Sequence, residues 1–372
     1  MGHKINHYID KKRFVFILSV FLWAFLVFYL SLVQSNWFFS KRLVLQSYLP
    51  KTADKSIQYL ALEIGKNNQL TNTKKPAIPL NGAYLAVDTD IKEDNLGTFE
   101  NLIKKKVAFL NIYVYWGEKV TSYNDLLTQT LNFNNQALLI TWNPSRSVLN
   151  HPINQKDHRI YNISNGSFDD YLSKWCAKIK NCNTPVIIRF APEMNGDWLP
   201  WGTKYSTPDQ YIKAYRYVVR YFKKRNVSNV SWMWSPNESG SQNILKWYPG
   251  DKYVDWVGLS GFNWSGLSTN NDWRSFNDVY AKSFSELESI DKPIALAEVG
   301  CAEVSDESKK AEWITDAFIE IKNNPKIKMV TWFNGVSFKK YDWRVNSSRQ
   351  SLQAFQCSVA NPYFLSGVTY EK

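Results

Sequence analysis

Eight short apolar runs, most of them separated by helical patterns over about 290 residues, predict an α/β fold of the (β/α)8 barrel type. Two further observations agree. The runs are nearly continuous in apolar residues, which fits strands buried on both faces of a parallel sheet. No glycine-rich phosphate turn follows any of them, which counts against the alternative, a doubly wound sheet.

In order, the runs are GAYLAVD (82–88), VAFLNIYVYW (107–116), QALLITW (136–142), PVIIRF (185–190), NVSWMWS (229–235), VDWVGLSGF (254–262), PIALAEV (293–299) and MVTWFNG (329–335). The clearest helix lies in STPDQYIKAYRYVVRYFKKRN. Thr207 suits its N-cap, Pro208 its first position and Asp209 the positive end of its dipole. Tyr211, Ile212, Tyr215, Val218, Val219 and Phe222 then form one apolar face at helical spacing.

Ahead of the barrel, Phe14 to Val33 is a charge-free apolar run. Its twenty residues suffice for a bilayer core of about 30 Å at a rise of about 1.5 Å per residue. The preceding Lys11, Lys12 and Arg13 favour a cytoplasmic N-terminus. A cleaved signal peptide is the rival reading, but the run exceeds the usual apolar stretch of such a leader. Either way the rest of the chain is exported. The expected divisions are a cytoplasmic tail (1–13), a transmembrane anchor (14–33), a stalk (34–79), a catalytic barrel (80–365) and a short tail (366–372).

The net charge of +12 is unevenly placed, +5 of it up to Arg42, but no dense Lys/Arg run marks a nucleic-acid footprint. Four cysteines form no CxxC or Cys/His cluster, and neither metal nor organic cofactor is expected. Cys176 and Cys182 are either a short disulfide loop or free thiols. The sixteen Trp residues suggest sugar stacking, because a core seldom needs so many indoles.

In such a barrel, chemistry sits on the loops after the strands' C-terminal ends. Those ends offer Asp88; Tyr115 and Trp116; Trp142 and Asn143; Glu193; Asn237 and Glu238; Phe262, Asn263 and Trp264; Glu298; and Trp332 with Asn334. Two carboxylates thus end the fourth and seventh strands. Such a pair flanking a site performs glycosidic hydrolysis: one protonates the leaving oxygen, and the other attacks the anomeric carbon or activates water. The loop after the third strand, with His151 and His158, is long enough to wall a cleft.

RFAPEMNGDWLPWG (189–202) resembles the acid/base signature of glycoside hydrolase family 26, whose members include β-mannanases and mixed-linkage β-glucanases. WMWSPN, YVDWVGLSGFNW and PIALAEVG support the resemblance in the expected order, and it extends from Asn81 to about Tyr363. The family's retaining (β/α)8 enzymes carry the acid/base on strand four and the nucleophile on strand seven. By this resemblance Glu193 is the acid/base and Glu298 the nucleophile. Arg189 holds the nucleophile side, Asn195 and Trp198 shape the site, and Trp332 stacks where the bond breaks. Trp116, Trp142, Trp201, Phe262 and Asn263 are the further substrate-binding candidates.

Three positions depart from the pattern. Pro192 replaces a usual His before the acid/base, and Ser260 and Phe262 replace an acid and a Tyr on strand six. A Tyr hydroxyl there commonly bonds the nucleophile, and Phe cannot. Losing a hydrogen bond to a charged group costs about 1.5–3 kcal/mol. The expected function is retaining cleavage of a β-linked hexose polysaccharide by a monomeric catalytic domain. The alternative is a weak or inactive glycan-binding barrel beside an exopolysaccharide synthesis machine.

Overall fold

The computed structural model describes residues 75–371, apart from 90–95, 117–134, 146–159, 181–184, 241–242, 265–272 and 338–340. The chain divides into two units at Gln69/Leu70, and the described residues all belong to the second. The apolar run 14–33, most of the expected stalk, His151, His158 and Cys182 lie outside them. No helix among the described residues is long and apolar enough to cross a membrane.

Eight parallel strands close into a barrel. They are β1 (Ala83–Thr89), β2 (Phe109–Tyr115), β3 (Ala137–Asn143), β4 (Val186–Phe190), β5 (Val230–Trp234), β6 (Trp256–Asn263), β7 (Ile294–Cys301) and β8 (Ile327–Asn334). Each pairs with the next, and β1 pairs with β8 from Tyr84↔Met329 to Thr89↔Asn334. The helices between them are α1 (Leu96–Ile103), α2 (Ile160–Ile163), α3 (Asp169–Lys180), α4 (Pro208–Lys224), α5 (Phe276–Glu286), α6 (Glu307–Asn323) and α7 (Arg349–Ala360). A hairpin, β9 (Val336–Ser337) with β10 (Tyr341–Asp342), extends the end of β8. The eight expected runs are the eight strands, in order.

Helix α4 starts as its sequence dictates. Thr207 accepts from the Gln210 N–H at 3.3 Å, and the Gln210 side chain accepts from the Thr207 N–H at 3.1 Å, a reciprocal cap. Its apolar face, Tyr211, Tyr215, Val218, Val219 and Phe222, is buried against the strands.

Side chains alternate along each strand, so each contributes to two cores. Inward positions fill the barrel with Tyr84, Phe109, Leu139, Ile187, Met233, Trp256 and Met329. Outward positions join the helices in a larger layer. That layer absorbs indoles: Trp142, Trp175, Trp234, Trp247 and Trp332 are fully buried there. The tryptophan count therefore reflects the helix–strand layer more than a sugar-binding rim. The large exposed indoles among the described residues are Trp198 and Trp264.

One irregularity decides where the chemistry goes. Leu259 pairs with Leu296, but the next residue, Ser260, pairs with Glu298. Against β8, Leu296 and Val299 span three residues while Val330 and Trp332 span two. Strand β7 therefore carries one extra residue, a bulge at Ala297/Glu298. Ile294 and Leu296 belong to the outer layer and Ala295 and Ala297 to the inner core, so strict alternation would send Glu298 outward. The bulge turns it into the barrel mouth.

Candidate active site

The mouth is built from inward residues at the C-terminal ends of the strands. Glu298 is its buried centre. Its Oε1 accepts from Arg189 Nη1 and, at 2.8 Å, from the Tyr113 hydroxyl on β2. Arg189 lies inside β4, fully buried, and is itself held by Ser235 Oγ (2.9 Å from Nε) and by Ser260 Oγ on Nη2. Ser260, where the resemblance leads one to expect an acid, is therefore an anchor for the arginine. Burial is the largest influence on Glu298 and pushes its carboxyl above the ordinary glutamate range, as does the charge of Glu193; Arg189 and Tyr113 pull it down.

Glu193 stands just past the end of β4, half-buried. The backbone needs two left-handed residues to bring it there: Ala191 at φ 45° and Glu193 itself at φ 57°. Conformations of this kind cost about 1–3 kcal/mol each and persist only where surroundings enforce them. Here the Ala191 N–H donates to Trp142 O at 3.0 Å and the Glu193 N–H to Ser235 O at 2.7 Å. Each carboxylate oxygen has its own donor. Asn237 Nδ2 reaches Oε1 at 3.0 Å, and Trp198 Nε1 reaches Oε2 at 2.8 Å. The Trp198 ring lies on Gly196, where a Cβ would come within 2.4 Å of it, so only glycine fits.

Other expected site residues act from behind. Asn195 is fully buried; its Nδ2 donates to Asn237 O at 2.7 Å and its Oδ1 accepts from the Asn237 N–H at 2.8 Å. It therefore aims Asn237 at Glu193. Trp201 is buried and donates to Pro192 O at 2.6 Å, bracing the loop under the acid. Trp198 and Trp201 thus part ways: only the first opens to solvent.

Four candidates are placed away from the mouth, and alternation is the reason. Trp116, Trp142 and Trp332 occupy outward positions. Trp116 and Trp142 meet at a tilt with ring centroids 4.9 Å apart and pack with Tyr171 and Phe190. Trp332 packs on Trp313 and Phe355 and donates to Trp343 O at 2.9 Å. Asn263 is buried, its Nδ2 3.7 Å from Cys301 Sγ, and serves packing.

The inward counterpart of Trp332 is its neighbour Phe333. Its ring meets Phe262 edge-on at 5.7 Å, and Phe262 packs on Trp343 at 5.0 Å. Tyr341 lies 5.9 Å from both Trp343 and the exposed Trp264, which completes an aromatic wall beside Glu298's strand. Phe333 and Tyr113 are the site residues that the strand-end reading left out, and Asn237, offered at the end of the fifth strand, is not among the substrate-binding candidates. Counting alternate positions from Met329 finds Phe333, and counting from Phe109 finds Tyr113.

Cys176 is a free buried thiol, pushed up to about 12 by burial. Among the described residues, no group of three or more His, Cys, Asp or Glu could hold a metal ion.

Residues 121–305 match the profile of glycosyl hydrolase family 26. Endoglucanase H of Acetivibrio thermocellus is 31% identical over 282 residues, covering 73% of this chain and 30% of that protein. A mannan endo-1,4-beta-mannosidase of Bacillus subtilis is 34% identical over 131 residues, 33% of this chain and 32% of that protein. The chain thus spans about a third or less of the length of these curated relatives. The structure of GH26C from Muricauda sp. MAR_2010_75 shares the fold, with a TM-score of 0.60 at 18% identity over 77% of this chain and 87% of that one. With its eight strands in the expected order and both carboxylates at the barrel mouth, the chain belongs to glycosyl hydrolase family 26.

Proposed function

We propose that this protein is a retaining endo-β-glycanase that cuts a β-linked hexose polysaccharide by double displacement. The observation that carries this reading is the pair of carboxylates, each held for a different task. Glu298 is buried against a fixed cation, Arg189, which favours its ionised form. Glu193 is reached by the neutral donors Trp198 and Asn237 and opens to solvent, where a proton can be given and taken back. Both donors to Glu298 converge on Oε1, so attack falls to Oε2.

In the first step Glu298 Oε2 bonds to the anomeric carbon while Glu193 gives its proton to the departing glycosidic oxygen. In the second, Glu193 takes a proton from water, the water oxygen bonds to the same carbon, and the Glu298 ester is released. The aromatic wall of Phe262, Phe333 and Trp343 suits the apolar face of a sugar ring, and exposed Trp198 and Trp264 suit neighbouring rings. The inactive-barrel alternative draws on the missing Tyr at position 262 and the missing His at position 192; for the first of these, Tyr113 supplies a hydroxyl to Glu298 from another strand. An endoglucanase and a mannan endo-1,4-beta-mannosidase among the relatives support a β-linked hexose chain as substrate. Attachment to a membrane through residues 14–33, with a monomeric barrel on the exported side, completes the proposal, supported by the charge-free run and its basic flank.

Release of reducing ends from mannan, mixed-linkage glucan and bacterial exopolysaccharides tests the activity. Wild type should cleave at least one, with the new end formed in the β configuration by NMR. Glu298→Gln and Glu193→Gln should each lose about 10²–10⁴-fold or more. Binding without cleavage by wild type and both variants would sink the enzyme reading.

A further inference from the structure

The floor of the barrel, at the end opposite the mouth, has no part in the two steps above, and it is basic. The segments that feed the strands there carry exposed cations. Lys180 ends α3, Lys223, Lys224 and Arg225 close α4, and Lys252 precedes β6. They form one patch: Lys180 Nζ donates to Arg225 O at 3.4 Å and Lys223 Nζ to Lys252 O at 2.9 Å. None of the five forms a salt bridge among the described residues. Helix dipoles favour cations at helix ends, but they do not account for the whole face. Helix α1 has no basic residue in its last turn and is followed by Lys104, Lys105 and Lys106, and Lys326 lies past the end of α6. The exposed acids at this end, Asp251, Glu288, Asp291 and Glu371, are fewer. The same end exposes apolar side chains. Leu80 is 93% exposed, and Ile78 and Tyr370 are exposed beside it in the chain segments under β1. Lys328 Nζ donates to Leu80 O at 3.0 Å, and Lys75 pairs with Asp255, just before β6, at 2.9 Å. Residues 75–80 thus cross the floor from β6 to β8, with Leu80 and Ile78 open to solvent among lysines. At the mouth end the helices begin with acids instead: Asp169 on α3, Asp209 on α4, Asp278 on α5 and Glu307 on α6.

We infer that this floor docks on a bilayer surface rich in anionic phospholipid headgroups, with Leu80 and Ile78 entering the headgroup layer and the mouth turned away. A basic patch beside open apolar side chains has the composition that binds such a surface. The cations are drawn to anionic headgroups within a Debye length, and the apolar side chains leave water at the interface. The acidic rim is repelled by the same headgroups, so one field both attracts the floor and sets the orientation. The inference goes beyond the attachment proposed through residues 14–33, which does not fix how the barrel faces the bilayer. Docked in this way, Glu193, Glu298 and the exposed Trp198 meet a long polysaccharide on the side away from the lipid.

Fluorescence quenching in bilayers tests the docking. The full chain is mixed with bilayers of phosphatidylcholine, alone or with phosphatidylglycerol, that carry a quencher on the lipid headgroup. With Cys182 and Cys357 replaced by Ser, a dye is attached at Ser228→Cys on the floor or at Ser305→Cys on the rim, both exposed positions. Phosphatidylglycerol should raise quenching at 228 above that at 305, and high salt should abolish the difference. Lys223→Glu, Lys224→Glu, Arg225→Glu and Lys252→Glu together should also abolish it, with reducing-end release from soluble polysaccharide unchanged. Leu80→Ser should diminish it. The docking is overturned if both positions are quenched alike with phosphatidylglycerol, if phosphatidylcholine alone gives the same difference, or if the fourfold variant, folded by circular dichroism, retains it. Shielding of 228 by a soluble anionic polysaccharide and not by the anionic bilayer would assign the face to a glycan and equally overturn it. Attachment to neutral bilayers reports on residues 14–33, and cleavage reports on the enzymatic reading, so a failure of either is distinguishable from a failure of the docking.

Discussion

Trp142 and Trp198 are both indoles beside the Glu193 loop, and their environments give them opposite parts. Trp142 is 1% exposed and wedged among Trp116, Tyr171, Trp175 and Phe222. Trp198 is 47% exposed, with its N–H on the Glu193 carboxylate. Trp142→Ala should therefore cost about 3–5 kcal/mol in denaturant unfolding, as a cavity in a packed layer does. Trp198→Ala should leave stability within about 1 kcal/mol and reduce kcat/KM by at least about 10-fold. An equal loss of stability in both variants would contradict this assignment. The charge balance at Glu298 makes a second prediction at this scale. Its carboxyl is held above the ordinary glutamate value, chiefly by burial, and must be ionised to attack. Activity should therefore fall on acidification at a pH above the ordinary glutamate value of about 4.3. A pH profile of kcat/KM that stays flat down to that value would refute it.

At the scale of elements, the hairpin after β8 depends on one lysine. Lys310, on α6, is fully buried and points its ammonium at Arg344 O (2.8 Å), Ser347 Oγ (2.7 Å) and Asp342 O (3.2 Å). It thereby ties down the segment carrying Tyr341 and Trp343, the outer part of the aromatic wall. Lys310→Met fills the space but leaves those acceptors without the donor, and should cost about 2–4 kcal/mol. Burial lowers the lysine to about 8 in the folded protein, against about 10.4 unfolded. Between those values the unfolded chain binds more protons, so this lysine's contribution to stability grows as pH rises. The stability gap between wild type and Lys310→Met should widen from pH 8 to pH 10, and a gap that narrows would refute the burial argument. The β7 bulge belongs to the same scale: one inserted residue reverses the face of Glu298 without disturbing the outer-layer neighbours Leu296 and Val299.

For the whole molecule, closure matters most. The β1–β8 pairing completes the ring, and segments near both ends of the described chain lie together beneath it. Tyr84 donates to Ala77 O at 2.7 Å, the Ala77 N–H to Thr369 O at 2.8 Å, and Lys75 pairs with Asp255 at 2.9 Å. The described elements that build the site thus close on one another within 75–371. A chain shortened to residues 75–372 should fold cooperatively and keep the full-length activity on soluble polysaccharide, by circular dichroism melting and reducing-end release. Loss of folding in that fragment would show that residues before 75 complete the core.

Sequence alone determined the barrel, because burial on both faces writes each strand as an apolar run and caps such as Thr207 and Gln210 mark a helix start. It also singled out Glu193, Glu298 and Arg189 as candidates, because a long motif around strand four resembles a known one and strand ends are where barrels keep their chemistry. Which aromatic residues face the sugar was decided by tertiary structure. Trp332 and Phe333 are adjacent and equally apolar, and only the pleat sends one outward and the other into the mouth. Tyr113 likewise reaches Glu298 across 185 positions of chain, a proximity that no local pattern encodes. The direction of Glu298 itself rests on a bulge, since a strict period of two would have buried its carboxylate among the helices.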